Sequence, residues 1–501
     1  MGLRKWLADT GIFEVKRVAQ RPEKKPPTIS VYEREPEPHE LALGHTCSLD
    51  DYENETWTLK GVSQEDRDAH FYVVGATRIG KTKFLESLIK QDIENGLGFC
   101  VIDPHGDFTE DIKGYLYALK KDEPEFLREN VVLIDPTDKK YTATFNPLEV
   151  ADGESAANVV LELTDAFKKI WADAWGARME DLLKNSLIAL VENHLTLAEL
   201  PLFLTNLEVR RRILANVKHE VCRQYFDERF GNLRRGKQDE WMESTLNKVS
   251  AFLFEDHLRQ MLSSPKSSFN LREIMDSGKI LLVKLAKGQF KSNADLLGSL
   301  LLAKIQAAAF SRTDISEAKR RKFYLYIDEF QNFASESFPT LLAEASKYKL
   351  PLILAHQNLA QLPPSLRASI LSNCGLQAYF RISRDDANIL AKESLASIYR
   401  DPPGWEAYIQ ELQELPKRGC VIKNKIEGGV VALRTLDTPP PHEFADMDEE
   451  EFAAEVAASG IGSVYLRNRE EIEAEYRERR KKLTETEDEN FESFREPKRL
   501  F

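Results

Sequence analysis

Gly75-Ala76-Thr77-Arg78-Ile79-Gly80-Lys81-Thr82 fills the pattern G-x-x-x-x-G-K-[ST] at every position. Residues of these types at this spacing can hold phosphate. Successive backbone N–H groups of such a loop point inward and form an anion nest at a helix N-terminus. Gly75 and Gly80 offer no side chain to obstruct an approaching phosphate. Lys81 can reach β- and γ-phosphates as a point charge, and the Thr82 hydroxyl can ligate Mg²⁺. A second cluster closes the run Phe323-Tyr324-Leu325-Tyr326-Ile327-Asp328-Glu329. Asp328 can hold Mg²⁺ directly or through water, and Glu329 can orient and deprotonate an attacking water. A third candidate is Gln357, at the end of Leu350-Pro351-Leu352-Ile353-Leu354-Ala355-His356-Gln357. An amide there can bond a γ-phosphate or the lytic water and relax after hydrolysis.

The elements that must position these groups are legible from periodicity. Phe71-Tyr72-Val73-Val74 reads as a buried parallel strand feeding the loop. Phe84, Leu85, Leu88, Ile89 and Ile93 recur at helical spacing after it, and Asn95-Gly96 supplies a stop. Gly98–Ile102 is a second strand, followed by Asp103-Pro104-His105-Gly106-Asp107. Asp103 or His105 can face a ligand at that strand end; a turn held by Pro and Gly explains the same residues equally well. Val131–Ile134, Lys279–Leu285, Gln377–Ile382 and Gly419–Ile422 add strands, and Glu427-Gly428-Gly429 marks a hairpin. Strands alternating with helices predict an α/β fold with a doubly wound, mostly parallel sheet.

Between residues 153 and 270 the strand signals stop and amphipathic helical stretches take over, predicting an all-α insertion. It carries Arg210-Arg211-Arg212, Lys218, Arg223 and Arg234-Arg235-Gly236-Lys237. These can contact a phosphate backbone, or form a solvated face balanced by nearby acids. The loop Lys287–Asn293, with two lysines and Phe290 expected to be exposed, suits backbone contact plus stacking in a channel. Ordinary loop composition accounts for it nearly as well. The expected organisation is a flexible segment at 1–40, the ATPase domain in two parts at 41–152 and 271–436, the insertion at 153–270, and an acidic tail with a charged helix at 437–501.

Composition bounds the function. The 501 residues suffice for two or three domains. Hydrophobic content of 42% with 30% charged residues suits a soluble globular chain. Even the apolar stretch Leu296–Phe310 contains Lys304, so no membrane insertion is expected. Cys47, Cys100, Cys222, Cys374 and Cys420 form no CxxC pair, which suits a reducing cytoplasm. The nine histidines form no HExxH cluster, so no dedicated metal site is expected. Of the net charge of −13, the stretch Asp437–Phe501, with 19 acidic and 10 basic residues, supplies −9. The remaining −4 leaves room for a local basic stripe or pore, not a basic domain.

The order of motifs resembles that of the VirD4/TraG/TraD coupling proteins of conjugation and type IV secretion, within the HerA/FtsK class. The resemblance rests on Gly75–Thr82, Val101–Asp107, Phe145–Glu149, Lys279–Gly288, Tyr324–Phe333, Leu352–Pro363 and Ile370–Glu393, and covers roughly Leu41 to Leu433. It implies a RecA-like P-loop ATPase that binds ATP and Mg²⁺ between subunits of a hexameric ring and moves DNA through a channel. In that frame Lys81, Glu329 and Gln357 are catalytic, Gly75 to Thr82 bind nucleotide, and Thr82 and Asp328 hold the metal.

Three departures qualify the resemblance. Membrane-attached coupling proteins carry N-terminal transmembrane helices, and this sequence shows none. Arg78 stands where the family often has Gly. Ser346 stands where the family often has an Arg that acts across the subunit boundary, and Lys347, Arg367 or Arg381 would have to replace it. A missing arginine finger costs roughly 10³–10⁵ in GTPases, so slow or partner-dependent hydrolysis is expected. Two alternatives stay open: an ATP-binding assembly switch or docking module with little turnover, and the motor of a defence, secretion or mobile-element complex whose effector is a separate partner protein.

Overall fold

The centre of the sheet is built from short, mostly apolar runs buried on both faces. The computed structural model describes residues 35–37, 40–49, 55–151, 154–392 and 402–485. Most of the expected N-terminal segment and the polar C-terminal end lie outside them. The chain divides into two compact units. Unit 1 comprises Met1–Pro136, Asp165–Ile170 and Phe269–Leu466; unit 2 comprises Thr137–Thr164, Trp171–Ser268 and Arg467–Phe501.

In chain order the strands are β1 (Leu41–Leu49), β2 (Glu55–Val62), β3 (Phe71–Val74), β4 (Gly98–Asp103), β5 (Val131–Ile134) and, in unit 2, β6 (Tyr141–Ala143). Then follow β7 (Ile280–Lys284), β8 (Phe323–Ile327), β9 (Leu352–His356), β10 (Leu376–Tyr379), β11 (Gly419–Asn424) and β12 (Gly429–Thr435). Unit 1 holds an 11-stranded sheet in the order β2-β1-β12-β11-β10-β3-β9-β8-β4-β7-β5. Every pairing from β10 across to β5 is parallel. The pairings from β2 to β10 are antiparallel. This is the mostly parallel central sheet that the alternation of strands and helices predicts. β3, β4, β8 and β9 are buried along their whole length, as strands covered on both faces must be.

Strand order decides the site. β9 lies between β3 and β8, with Val74 opposite His356 and Ile327 opposite Leu354. The parallel register brings the carboxyl ends of β3, β9 and β8 to one edge. The phosphate loop, Gln357 and the Asp328-Glu329 pair therefore emerge side by side, where open α/β sheets bind ligands.

The helix Lys81–Glu94 packs its expected stripe of Phe84, Leu85, Leu88, Ile89 and Ile93 into the core. The Phe84 ring meets Phe71 and Phe380 edge-on. The helix ends at Asn95 and Gly96, the latter at φ 64°. A buried ion pair, invisible in the sequence, sets this helix against the sheet. Arg67 donates to both Asp92 oxygens at 2.8 and 2.9 Å, and Tyr326 on β8 donates to Asp92 at 2.5 Å. The Arg67 guanidinium also lies 3.8 Å from the Tyr324 ring centroid.

The helix Ser292–Phe310 is long and apolar enough for a membrane span, but 67% of that window is buried within the protein, as in a core helix. The loop before it differs from expectation. Lys287–Phe290 forms one helical turn that buries Phe290, and Lys287 pairs with Asp295 at 2.8 Å. Phe290 fills the core because the left-handed residues Ala286 and Lys291 turn the chain back on either side of it.

Unit 2 is helical apart from short pieces. Its aromatic cluster joins Phe203, Tyr225, Phe226 and Phe230. Two of the basic clusters are partly spent on structure. Arg210 is buried, donates to Leu204 O at 2.8 Å and covers the Phe230 ring. Arg212 donates to Glu485 O at 2.6 Å, and Lys237 pairs with Glu240 at 2.7 Å. Arg223, Arg234 and Arg235 are exposed. The charged helix Arg469–Thr484, expected within an acidic tail, belongs to this unit. Arg469, Ile472 and Tyr476 are buried, and Arg479 pairs with buried Glu199 at 2.9 Å.

Candidate functional site

The loop between β3 and the helix Lys81–Glu94 is shaped by two glycines with different tasks. A Cβ on Gly75 would lie 2.5 Å from Phe380 Cβ and 2.6 Å from Ile79 Cδ1. Close packing inside the fold therefore demands Gly75, whatever approaches from outside. Gly80 is left-handed at φ 114°, which disfavours any side chain. Buried Ile79 pins the loop, with its carbonyl accepting from Arg418 N at 2.8 Å. Ala76 donates to Arg381 O at 2.8 Å. Ala76, Thr77, Arg78 and Thr82 are exposed around this frame.

Gly80 is the N-cap of the helix, no side chain caps it, and its first turn has no acid. The orphan N–H groups of that end suit an anion. Lys81 is buried, and its Nζ donates to the Gly75 and His356 carbonyls at 2.5 and 3.0 Å. The ammonium is thus held at the ends of β3 and β9. Burial lowers its pKa, against the pull of Glu329 and Asp328.

Asp328 and Glu329 follow β8. Burial, and then the neighbouring Glu329 carboxylate, push Asp328 up to about 7, with Lys81 opposing. Near neutrality it is part-protonated, and a cation beside it would restore the charge. Such an oxygen ligand suits Mg²⁺, with Thr82 as a second donor. Glu329 is left-handed at φ 46°, a strained backbone for a non-glycine residue. Its Oε1 accepts from Gln357 Nε2 at 2.9 Å and its Oε2 from Gln331 Nε2 at 2.8 Å.

The fold thus brings Lys81, Asp328, Glu329 and Gln357 into one cluster. Gln331 joins them, unmarked by sequence reasoning; the signal was a second amide two residues after the carboxylate. Asp103 has a different task. It is buried, and its oxygens accept from His105 N at 2.8 Å and Thr109 N at 2.9 Å. Asp103 therefore holds the turn into the helix Asp107–Lys120, while His105 is exposed. Ser346 donates to Asp68 O at 2.7 Å. Lys347, exposed, pairs with Glu344 at 2.7 Å, and Arg381 is exposed next to the phosphate loop.

The sequence profile of the type IV secretion-system coupling protein DNA-binding domain matches residues 59–395. No curated protein shows a significant sequence match. Among solved structures, plasmid coupling protein TrwB in complex with the non-hydrolysable GTP analogue GDPNP is similar, with a TM-score of 0.54 at 15% identity, covering 76% of this chain and 88% of that one. TrwB in complex with ADP and Mg²⁺ gives 0.52 at 14% identity, over 76% and 90%. VirB4 of Thermoanaerobacter pseudethanolicus gives 0.53 at 13% identity, over 81% and 98%. At such identities the likeness is one of fold: unit 1 has the RecA-like P-loop arrangement.

Proposed function

Because the chain belongs to the type IV secretion-system coupling protein DNA-binding domain family, we propose that it is a P-loop ATPase that uses ATP hydrolysis to move DNA. The observation that carries this reading is the meeting of Lys81, Asp328, Glu329 and Gln357 at one sheet edge beside an uncapped helix N-terminus.

In this reading the loop from Gly75 to Thr82 binds the triphosphate of ATP. Lys81 leaves the Gly75 and His356 carbonyls for the β- and γ-phosphates. Thr82 and Asp328 would hold Mg²⁺, which would supply positive charge beside the transferred phosphoryl group. Glu329 takes the proton of the attacking water. Gln357 exchanges its bond to Glu329 for one to phosphate or water, and so reports nucleotide state to β9.

The family resemblance supports a hexameric ring of the HerA/FtsK kind, with ATP between subunits and DNA in the channel. Exposed Arg223, Arg234 and Arg235 suit backbone contact. Exposed Arg381, whose main chain already braces the loop, suits the missing cation better than Ser346. The five cysteines are buried and form no disulfide among the described residues, which suits a cytoplasmic setting.

Displacement of streptavidin from biotinylated DNA tests the reading. ATP-dependent displacement, lost in Glu329→Gln, is expected; displacement that ignores ATP or survives that substitution contradicts it. A second reading, an ATP-binding assembly switch with little hydrolysis, is favoured by Ser346, whose hydroxyl is engaged by Asp68 and carries no charge.

A further inference from the structure

Both oxygens of the Glu329 carboxylate accept an amide hydrogen, but the two donors are mounted differently. Gln357 follows β9, the strand whose His356 carbonyl also binds Lys81. A rearrangement of Lys81 on phosphate is therefore felt at Gln357. Gln331 sits on the turn Phe330–Asn332, two residues after the carboxylate it holds. Buried aromatics pin that turn on either side. The Phe330 ring stacks on Phe338 at 5.8 Å and meets His356 at 5.1 Å. A Cβ on Gly298 would come within 2.5 Å of the Phe333 ring, so no slack remains there. The backbone of Gln331 is thus fixed relative to Glu329 in a way that Gln357 is not. Gln331 Oε1, moreover, is buried and accepts nothing from the described residues.

We propose that Gln331 is the positioning residue of the hydrolytic base: it fixes the plane of the Glu329 carboxylate while Gln357 exchanges, and its free Oε1 takes one hydrogen of the attacking water. The inference rests on the ATPase reading above and adds to it a residue that touches the base, not the metal. A carboxylate has about four lone-pair sites, so two amide bonds leave room for the water. Without Gln331, only Gln357 orients the carboxylate, and the bond to Gln357 is lost during turnover. The strained backbone of Glu329 then has nothing to hold its side chain at the attacking angle.

Gln331→Met keeps the side-chain length and removes both amide functions; Gln331→Glu sets a second carboxylate against the base. In the full-length chain, kcat for ATP is expected to fall about 10-fold in Gln331→Met, with KM unchanged. In Gln331→Glu the fall in kcat is larger. Binding of a fluorescent ATP analogue stays at the parental level in each, which shows that the site is folded. Parental kcat in both variants overturns the inference. So does a joint loss of kcat, KM and analogue binding, which marks a purely structural residue. If the parent turns over and the variants match it, this inference alone fails; if the parent and Glu329→Gln both lack turnover, the ATPase reading fails with it.

Discussion

Gln357 Nε2 donates to Glu329 Oε1 at 2.9 Å, joining the residue after β9 to the carboxylate after β8. Because Lys81 binds the carbonyl of the residue before Gln357, phosphate, base and amide are linked through one short stretch of chain. Replacing Gln357 by Ala breaks the link and leaves the strained Glu329 turn in place. A fall in kcat of about 10- to 100-fold is expected, with ATP binding preserved. Steady-state kinetics alongside equilibrium binding of an ATP analogue check it; equal losses in both would mean that Gln357 only binds.

Lys81→Ala removes the cation that bridges β3 and β9 and would meet the phosphates. The kcat is expected to drop by about 10²–10³, and melting temperature should no longer rise on adding ATP, since ligand-linked stabilisation needs binding. Thermal melts with and without ATP measure this. A variant that retains the full ATP-dependent rise would remove Lys81 from the binding site.

The Arg67–Asp92 pair is a stability prediction. Asp92→Ala strands the Arg67 guanidinium in the core, where it is 3% exposed. Breaking a buried pair on one side costs about 3–5 kcal/mol, read by denaturant unfolding of the variant against the parent. The helix carrying the phosphate loop loses its anchor to Tyr326 as well, so ATP affinity falls with stability.

His70 gives the pH dependence. It is buried, with Nε2 2.9 Å from Leu342 O and Nδ1 accepting from Leu352 N at 3.0 Å. Burial lowers its pKa to about 4, against a weaker upward pull from Leu342 O and Asp68. Between that value and the usual histidine value near 6.5, the unfolded chain binds a proton that the folded chain refuses. Stability therefore falls as pH drops through this window, by on the order of 3 kcal/mol once it is crossed. His356, lowered to about 3, acts in the same sense. Replacing His70 by Gln flattens the acid slope of melting temperature relative to the parent; an unchanged slope contradicts the assignment.

The sequence made some parts legible for a definite reason. β3, β4, β8 and β9 read correctly because strands buried on both faces are continuous apolar runs. The candidates for chemistry at their ends came from residue type alone. Strand order was not legible: that β9 separates β3 from β8 is a tertiary fact, and it alone explains why Gln357 meets Glu329. The pairing of Asp92 with Arg67 was not legible either, since the two lie 25 residues apart. Phe290, set among lysines and glycine, read as exposed because the two left-handed residues that turn it inward leave no mark in composition. The helix Arg469–Thr484 is so charged that its short apolar stripe of Ile472 and Tyr476 was masked. Gln331 escaped notice because an amide in a turn carries no motif until its carboxylate is seen beside it.

The most direct test is steady-state ATP hydrolysis with and without DNA, run beside Glu329→Gln. DNA-stimulated turnover is expected, falling by about 10²–10⁴ in the variant while nucleotide binding persists. Tight ATP binding with no turnover, unchanged by DNA, would contradict the motor and leave the assembly switch.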